Sequence, residues 1–93
     1  MRPVRLLPGA ERDLVRLEDF LLSKSERAGR AAGAAIRRAL IDLSQFPYQG
    51  PETRRGGIRQ LIIKFGRDGY VAQYRVAETE LVVARIFHGR ERR

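Results

Sequence analysis

Residues 58–90, IRQLIIKFGRDGYVAQYRVAETELVVARIFHGR, decide the fold. Three short runs in this stretch are crowded with the β-branched and aromatic residues that pleated strands favour. They are residues 58–65, 70–76 and 81–87. Gly66-Arg67-Asp68-Gly69 separates the first two and ends in Asp-Gly, a hairpin-turn signal. Ala77-Glu78-Thr79-Glu80 separates the last two. Connections this short join antiparallel neighbours, so the C-terminal half reads as a meander. Within the first run, the period of two sets Arg59 on the face opposite Gln60 and Lys64 on the face of Gln60 and Ile62.

Upstream of the meander, Pro47-Tyr48-Gln49-Gly50-Pro51 is a loop by every turn criterion, and Arg54-Arg55-Gly56-Gly57 extends it. Before the loop, apolar residues follow helical spacing. Leu14, Leu17 and Leu21 recur at three and four residues, with Val15 and Phe20 widening the stripe. Glu11, Arg12, Asp13, Arg16, Glu18 and Asp19 fill the other positions, giving an amphipathic helix of about three turns from Ala10. Its early acidic residues suit the positive end of the helix dipole. Ser23-Lys24-Ser25 breaks the pattern, and Ser25 is the expected N-cap of a second helix. That helix carries Ala28, Ala32, Ala35, Ile36, Ala39, Leu40 and Leu43 and ends near Phe46-Pro47. Gly29 and Gly33 lie one turn apart on it, a spacing that permits close helix–helix approach. At the N-terminus, Val4, Leu6 and Leu7 read as a brief strand stopped by a Pro8-Gly9 turn. The expected fold is α+β, in the order β-α-α-β-β-β. A helical hairpin lies on one face of a small, mostly antiparallel sheet, within a single domain spanning residues 1–93.

Charge narrows the function. The chain carries 19 Lys and Arg against 11 Asp and Glu, a net of +8. Divided at Pro47, the two parts carry +3 and +5, so the basic charge is weighted toward the meander. Such a balance favours a polyanionic partner, although an arginine-rich composition also serves plain solubility. There is no cysteine, which excludes disulfides and thiolate chemistry, and the single histidine offers a metal no cluster of ligands. No cofactor or metal is expected. The stretch MRPVRLLPGAERDL lacks the apolar core of a signal peptide, and no run reaches the ~20 apolar residues of a membrane span. The cytoplasm is the expected location, with no membrane partner. A chain this short buries only about two-thirds of its unfolded surface, so function belongs on an exposed surface or groove.

The order of these elements, with several local strings, resembles the RelE/ParE toxins of type II toxin–antitoxin systems. The strings are Pro8 through Asp13-Leu14 opening the first helix and Phe46-Pro47 followed by Gly50-Pro51. In the meander they are Gly69-Tyr70, Tyr74-Arg75-Val76 and Arg85-Ile86-Phe87-His88-Gly89-Arg90. The likeness spans essentially the whole chain and implies a helical hairpin against a twisted sheet, with the first strand beside the last. It also implies a cognate antitoxin with an acidic, amphipathic C-terminal segment, encoded by a neighbouring gene.

The family divides by target. RelE-like members cleave mRNA on the ribosome, and ParE-like members inhibit DNA gyrase by protein contact. Carried over position by position, Lys64 falls at one strand lysine of the RelE site, but Ile62 stands where its partner would be. Val71 replaces the arginine that follows the Gly-Tyr pair, Arg90 falls at the late arginine, and His88 falls near the general acid or base of YoeB-like members. No tyrosine follows the last strand up to Arg93. A positioned guanidinium contributes on the order of several kcal/mol to an oxyanion-like transition state, and valine contributes none. The preferred expectation is therefore a non-enzymatic, ParE-like gyrase inhibitor. The alternative is a ribosome-dependent mRNA endoribonuclease using Lys64, His88 and Arg90. A third possibility is a basic nucleic-acid-binding module without toxicity.

Target contacts are expected from Tyr48, the best exposed aromatic, and from Arg54, Arg55, Arg59, Arg67 and Arg90. Arg92 and Arg93 read equally as contacts or as a solvated tail. His88 reads as a general acid or as a strand-end residue bonded to backbone. Tyr70 and Tyr74 read as core rather than as base-stacking platforms.

Overall fold

The structure is a computed structural model and describes residues 1–91. Its elements are β1 (Val4–Leu6), α1 (Pro8–Lys24), α2 (Glu26–Gln45), β2 (Arg59–Ile63), β3 (Tyr70–Val76) and β4 (Leu81–His88). The strands form one sheet in the order β1-β4-β3-β2. β1 runs parallel to β4, and the other two pairings are antiparallel. The α+β architecture and the placement of the first strand beside the last are as expected.

One face of the sheet packs against the helical hairpin. Leu61, Ile63, Tyr70, Ala72, Tyr74, Leu81, Val83 and Ile86 bury against Ala10, Leu17, Ala32, Ile36, Leu40 and Leu43. Strict alternation cannot put both Val83 and Ile86 inward, since they are three residues apart. A register shift resolves this: Tyr74 pairs with Val83 and Gln73 with Arg85, leaving Ala84 as the extra residue of a bulge.

Several local expectations change. Pro8-Gly9 is the first turn of α1, not a turn ahead of it. Proline at the first helical position forfeits no intrahelical hydrogen bond, and its fixed φ suits the helix. The Leu7 N–H is instead held by the Val83 carbonyl at 2.9 Å. α1 is thus 17 residues long, well beyond three turns. Its buried stripe is also narrower than predicted, because Val15 and Phe20 are 57% and 60% exposed while Asp13 is buried. β2 stops at Ile63, two residues short, which leaves Lys64 and Phe65 outside the ladder. The Gly69 N–H bonds the Phe65 carbonyl at 2.9 Å, so the β2–β3 connection is wider than a two-residue Asp-Gly turn. Gly66 and Gly69 take positive φ within it.

The hairpin seam is as tight as the small residues imply. Ser25 alone links the helices, and its hydroxyl accepts from the Ala28 N–H at 3.2 Å. A Cβ on Gly29 would lie 2.6 Å from Leu22 Cγ, and one on Gly33 would strike the Glu18 carboxylate. That carboxylate is itself held by Arg37 at 3.0 Å.

Candidate functional site

β4 is where the site is organised. Its first half pairs with β1, but that pairing stops at Leu6↔Val83. Beyond Val83 the strand would show unsatisfied backbone groups along an edge. Asp13 of α1 fills the gap. Its Oδ2 accepts from the Ile86 N–H at 2.9 Å and from Arg85 Nε at 2.6 Å, and its Oδ1 from Arg85 Nη2 at 3.1 Å. Burial pushes the Asp13 carboxyl up, but bonds from Arg85 and the Ile86 N–H, with the charge of Arg85 and a bond from Arg16, outweigh it. The net effect holds the group below the ordinary carboxylate range. The Arg85 guanidinium also lies over the Phe87 ring, 4.8 Å from its centroid.

Past this clamp, β4 ends in a groove of about 720 Å³. Arg16, Leu17, Phe20 and Leu21 of α1 form one wall, Phe65 to Asp68 of the β2–β3 connection form another, and Tyr70, His88, Arg90 and Glu91 complete it. The His88 ring meets Tyr70 edge-on at 5.7 Å, and its Nδ1 accepts from the Arg90 N–H at 3.2 Å. Arg90 Nε lies 3.6 Å from Asp68. Glu91 folds back so that its carboxylate meets both Arg16 and the His88 N–H, at 2.8 and 2.7 Å. The groove therefore joins an aliphatic and aromatic floor to a guanidinium-rich rim.

His88 and Arg90 are brought together here, but Lys64 is not. It lines a separate cavity of about 280 Å³ with Arg38 and Asp42 of α2, beside the outer edge of β2. Ile63, Tyr70 and His88 are successive partners across three strands, so β2 and β4 are about 10 Å apart there. Ile62 and Val71 are direct cross-strand partners, and Ile62 is 63% exposed.

The expected target contacts divide between the two ends of the sheet. Arg67 and Arg90 line the groove. Tyr48, Arg54, Arg55 and Arg59 lie at the opposite end, where β2 begins. Arg54 and Arg55 are exposed. Arg59 is engaged: it bonds the Gly50 carbonyl at 2.7 Å and lies 5.0 Å from the Tyr48 ring centroid, with Arg2 at 5.8 Å. Tyr48 is not uniquely exposed, since Phe20 and Phe46 are at least as open. Tyr70 and Tyr74 are core residues, as expected. Arg92 and Arg93 lie outside the described residues.

Asp13 and Arg85 of the clamp, and Arg16, Phe20 and Glu91 of the groove, are not among the site residues picked out from the sequence. Asp13 carried a signal, because it lies three residues after Ala10 and four before Leu17, on the apolar face. Among the described residues, no group of three or more His, Cys, Asp or Glu is placed to hold a metal ion. No helix among them is long and apolar enough to cross a membrane.

The family model for the ParE toxin of the type II toxin–antitoxin system parDE matches residues 4–93. Toxin RelE3 of Caulobacter vibrioides is 42% identical over the full length of both chains. Toxin RelE1 of the same organism is 35% identical, covering 90% of this chain and 89% of its own. A solved chromosomal ParDE system from P. aeruginosa shares the fold, with TM-score 0.81 at 23% identity over 95% and 96% of the two chains. The toxin–antitoxin complex RelBE2 from Mycobacterium tuberculosis gives a TM-score of 0.63 at 28% identity over 94% and 96%. With a family model matching almost every residue and a full-length relative at this identity, the chain belongs to the RelE/ParE family as a toxin of a type II toxin–antitoxin system.

Proposed function

We propose that this toxin acts in the ParE-like manner, binding and inhibiting DNA gyrase through protein contact in the cytoplasm. A cognate antitoxin with an acidic, amphipathic C-terminal segment neutralises it, drawn by the chain's net +8. The observation that carries the reading is the pairing of Ile62 with Val71 on the exposed sheet face. The resemblance calls for cations at both positions in a ribonuclease. Two branched aliphatic residues stabilise no phosphorane charge and make a surface suited to protein contact. The remaining strand cation, Lys64, opens onto a different cavity from His88 and Arg90.

Two observations favour a ribosome-dependent mRNA endoribonuclease instead. His88 and Arg90 share a groove, and the two Caulobacter relatives are named RelE toxins. Tightly controlled expression separates the readings. Loss of supercoiling and double-strand breaks, with intact messages by primer extension, is the expected result. Codon-register cleavage of translated mRNA without DNA damage, abolished by His88→Ala, would establish the nuclease in its place.

A further inference from the structure

β2 is an edge strand, and the chain covers only the first half of its outer side. The Gln60 N–H bonds the Pro51 carbonyl at 3.1 Å, the Thr53 N–H bonds the Ile58 carbonyl at 2.8 Å, and Glu52 bridges Arg59. Ile58 and Gln60 therefore turn their backbone groups outward. The period of two adds Ile62 and, one step past the end of the strand, Lys64. Arg59, Leu61 and Ile63 turn theirs toward β3. The covering segment stops at Gln60. Among the described residues, no backbone group outside the strands bonds Ile62 or Lys64. Ile62 is also 63% exposed. An uncovered edge of this kind is a template for another strand.

The open half of the edge is complementary to itself. Laid antiparallel on a second copy about a two-fold axis at Ile63, Ile62 of each chain meets Lys64 of the other. Both residues face outward, so each such pair exchanges both of its N–H···O=C bonds. The next pair sets Gln60 and its Pro51 cover against Gly66, which has no Cβ and open space where one would be. Lysine on an edge often keeps strands apart. In this register each Lys64 faces an isoleucine, and no like charges are opposed. α2 flanks the same edge with a second self-complementary feature. Arg38 and Asp42 line the cavity that Ile62, Ile63 and Lys64 also line. Both are exposed, and neither side chain has a hydrogen bond or ion pair among the described residues. Glu26 and Arg30, at the same spacing on α2, are paired at 2.8 Å. The order acid then base suits a helix better than base then acid, so Arg38 and Asp42 are poorly placed to satisfy each other. A two-fold axis reverses one α2 against the other and sets Arg38 of each copy toward Asp42 of its mate.

We propose that the free half of the β2 edge, flanked by Arg38 and Asp42, is a self-association surface at which two copies of this chain join antiparallel about Ile63. The two sheets become one, and their Ile62–Val71 patches lie on the same face. The net +8 of each chain opposes association, which makes the dimer dependent on concentration. The pairing is the same for a gyrase inhibitor and for a nuclease, and stands apart from the choice between them.

The test is sedimentation of the full-length chain from about 1 µM to about 1 mM, with amide hydrogen exchange at both ends of the range. A monomer–dimer equilibrium is expected. Exchange at Ile62 and Lys64 slows at least about fivefold as the dimer forms, whereas Gln60, already bonded to Pro51, is protected throughout. Ile62→Pro removes an outward donor without touching the ladder to β3 and weakens the dimer at least about tenfold. Since proline in a strand can also unfold it, the deciding variants lie on the surface of α2. Arg38→Asp and Asp42→Arg each weaken self-association at least about tenfold, because like charges then face each other across the axis. Mixed in equal amounts, the two single variants pair with one another, each supplying the charge that the other lacks. The double variant carrying both changes dimerises again. The proposal is overturned by a dimer whose Ile62 and Lys64 amides exchange freely, or by single variants that associate no better mixed than alone. A chain that stays monomeric across the range overturns it too, and leaves the edge to a strand of another protein.

Discussion

The two ends of the sheet use the same residue types to opposite effect. At the start of β2, Tyr74 is fully buried, its hydroxyl accepting from the Gly50 N–H at 3.0 Å and donating to the Pro47 carbonyl at 2.8 Å. Arg59 bonds the Gly50 carbonyl on the same loop at 2.7 Å, and a Cβ on Gly50 would lie 2.6 Å from the Gln60 carbonyl oxygen. A tyrosine, an arginine and a glycine there tie the Pro47–Gly50 loop to the sheet through polar groups bonded to one another. At the end of β4, Tyr70 packs under Phe65 and His88, Arg67 lines open space, and Phe20 stands exposed across from it. Internal satisfaction marks the first end as scaffold. The second end presents charge and apolar surface outward, which is what a partner needs.

The largest effect that separates the ends belongs to Tyr74→Phe. It leaves the ring in place but strips partners from the Gly50 N–H and the Pro47 carbonyl. An unsatisfied buried group costs about 1–3 kcal/mol, so a loss near 2–3 kcal/mol and a fall in Tm of roughly 15 °C are expected. Thermal unfolding by circular dichroism checks this. A shift under a few degrees would mean that the loop reseals with water and that the end is no lock.

Asp13→Ala comes next, at about 2 kcal/mol, and its pH dependence identifies the cause. Most of the loss comes from the Ile86 N–H, because Arg85 is half exposed and its charge attraction is screened. The folded Asp13 carboxyl is held below its ordinary value. Its electrostatic contribution is therefore complete above the unfolded value near ~4 and is lost as pH falls through the lowered folded value. The stability gap between the two proteins should be flat above about pH 5 and narrow below about pH 4. Urea titrations across that range measure it. A gap that persists undiminished at low pH would assign Asp13 a packing role alone.

How much of this was legible in the chain follows from how local each determinant is. The meander and both helices were readable because β-branched runs, turn glycines and three-four spacing act within a few residues. The Ala84 bulge was not, since it answers to the register of the neighbouring strand. Pro8 is ambiguous in sequence, because proline signals both a stop and a first helical turn, and only the Leu7 bond to Val83 decides between them. Hydrophobicity places Phe20 on the apolar stripe of α1, although it faces the groove. The Glu91 bond to Arg16 joins residues 75 apart and leaves no trace in any window of sequence.

Gly29→Ala tests the seam that carries both ends, with a smaller expected effect. The added methyl would sit 2.6 Å from Leu22 Cγ and 2.9 Å from its backbone nitrogen, so the helices must part slightly. Alanine's better helix propensity returns about 1 kcal/mol. Overpacking of this kind costs about 1–3 kcal/mol, which leaves a net destabilisation of about 1 kcal/mol. Chemical denaturation resolves a change of that size, and a stabilised variant would show that the seam has slack.

The smallest stability effect is the one that completes the contrast. Phe20→Ser removes an exposed aromatic whose only ring contact among the described residues is the Lys24 ammonium. Exposed substitutions away from caps and buried bonds stay within about 0.5 kcal/mol, so Tm should move by no more than a few degrees. Serine has a slightly lower helix propensity, and it gives up little packing at this exposure. If the groove end exists for a partner, the same substitution leaves the fold nearly untouched and weakens antitoxin binding by at least about tenfold, as loss of a buried aromatic anchor does. Paired melting and binding measurements decide the matter. A large loss of stability with no loss of binding would place Phe20 with the scaffold and erase the distinction between the two ends.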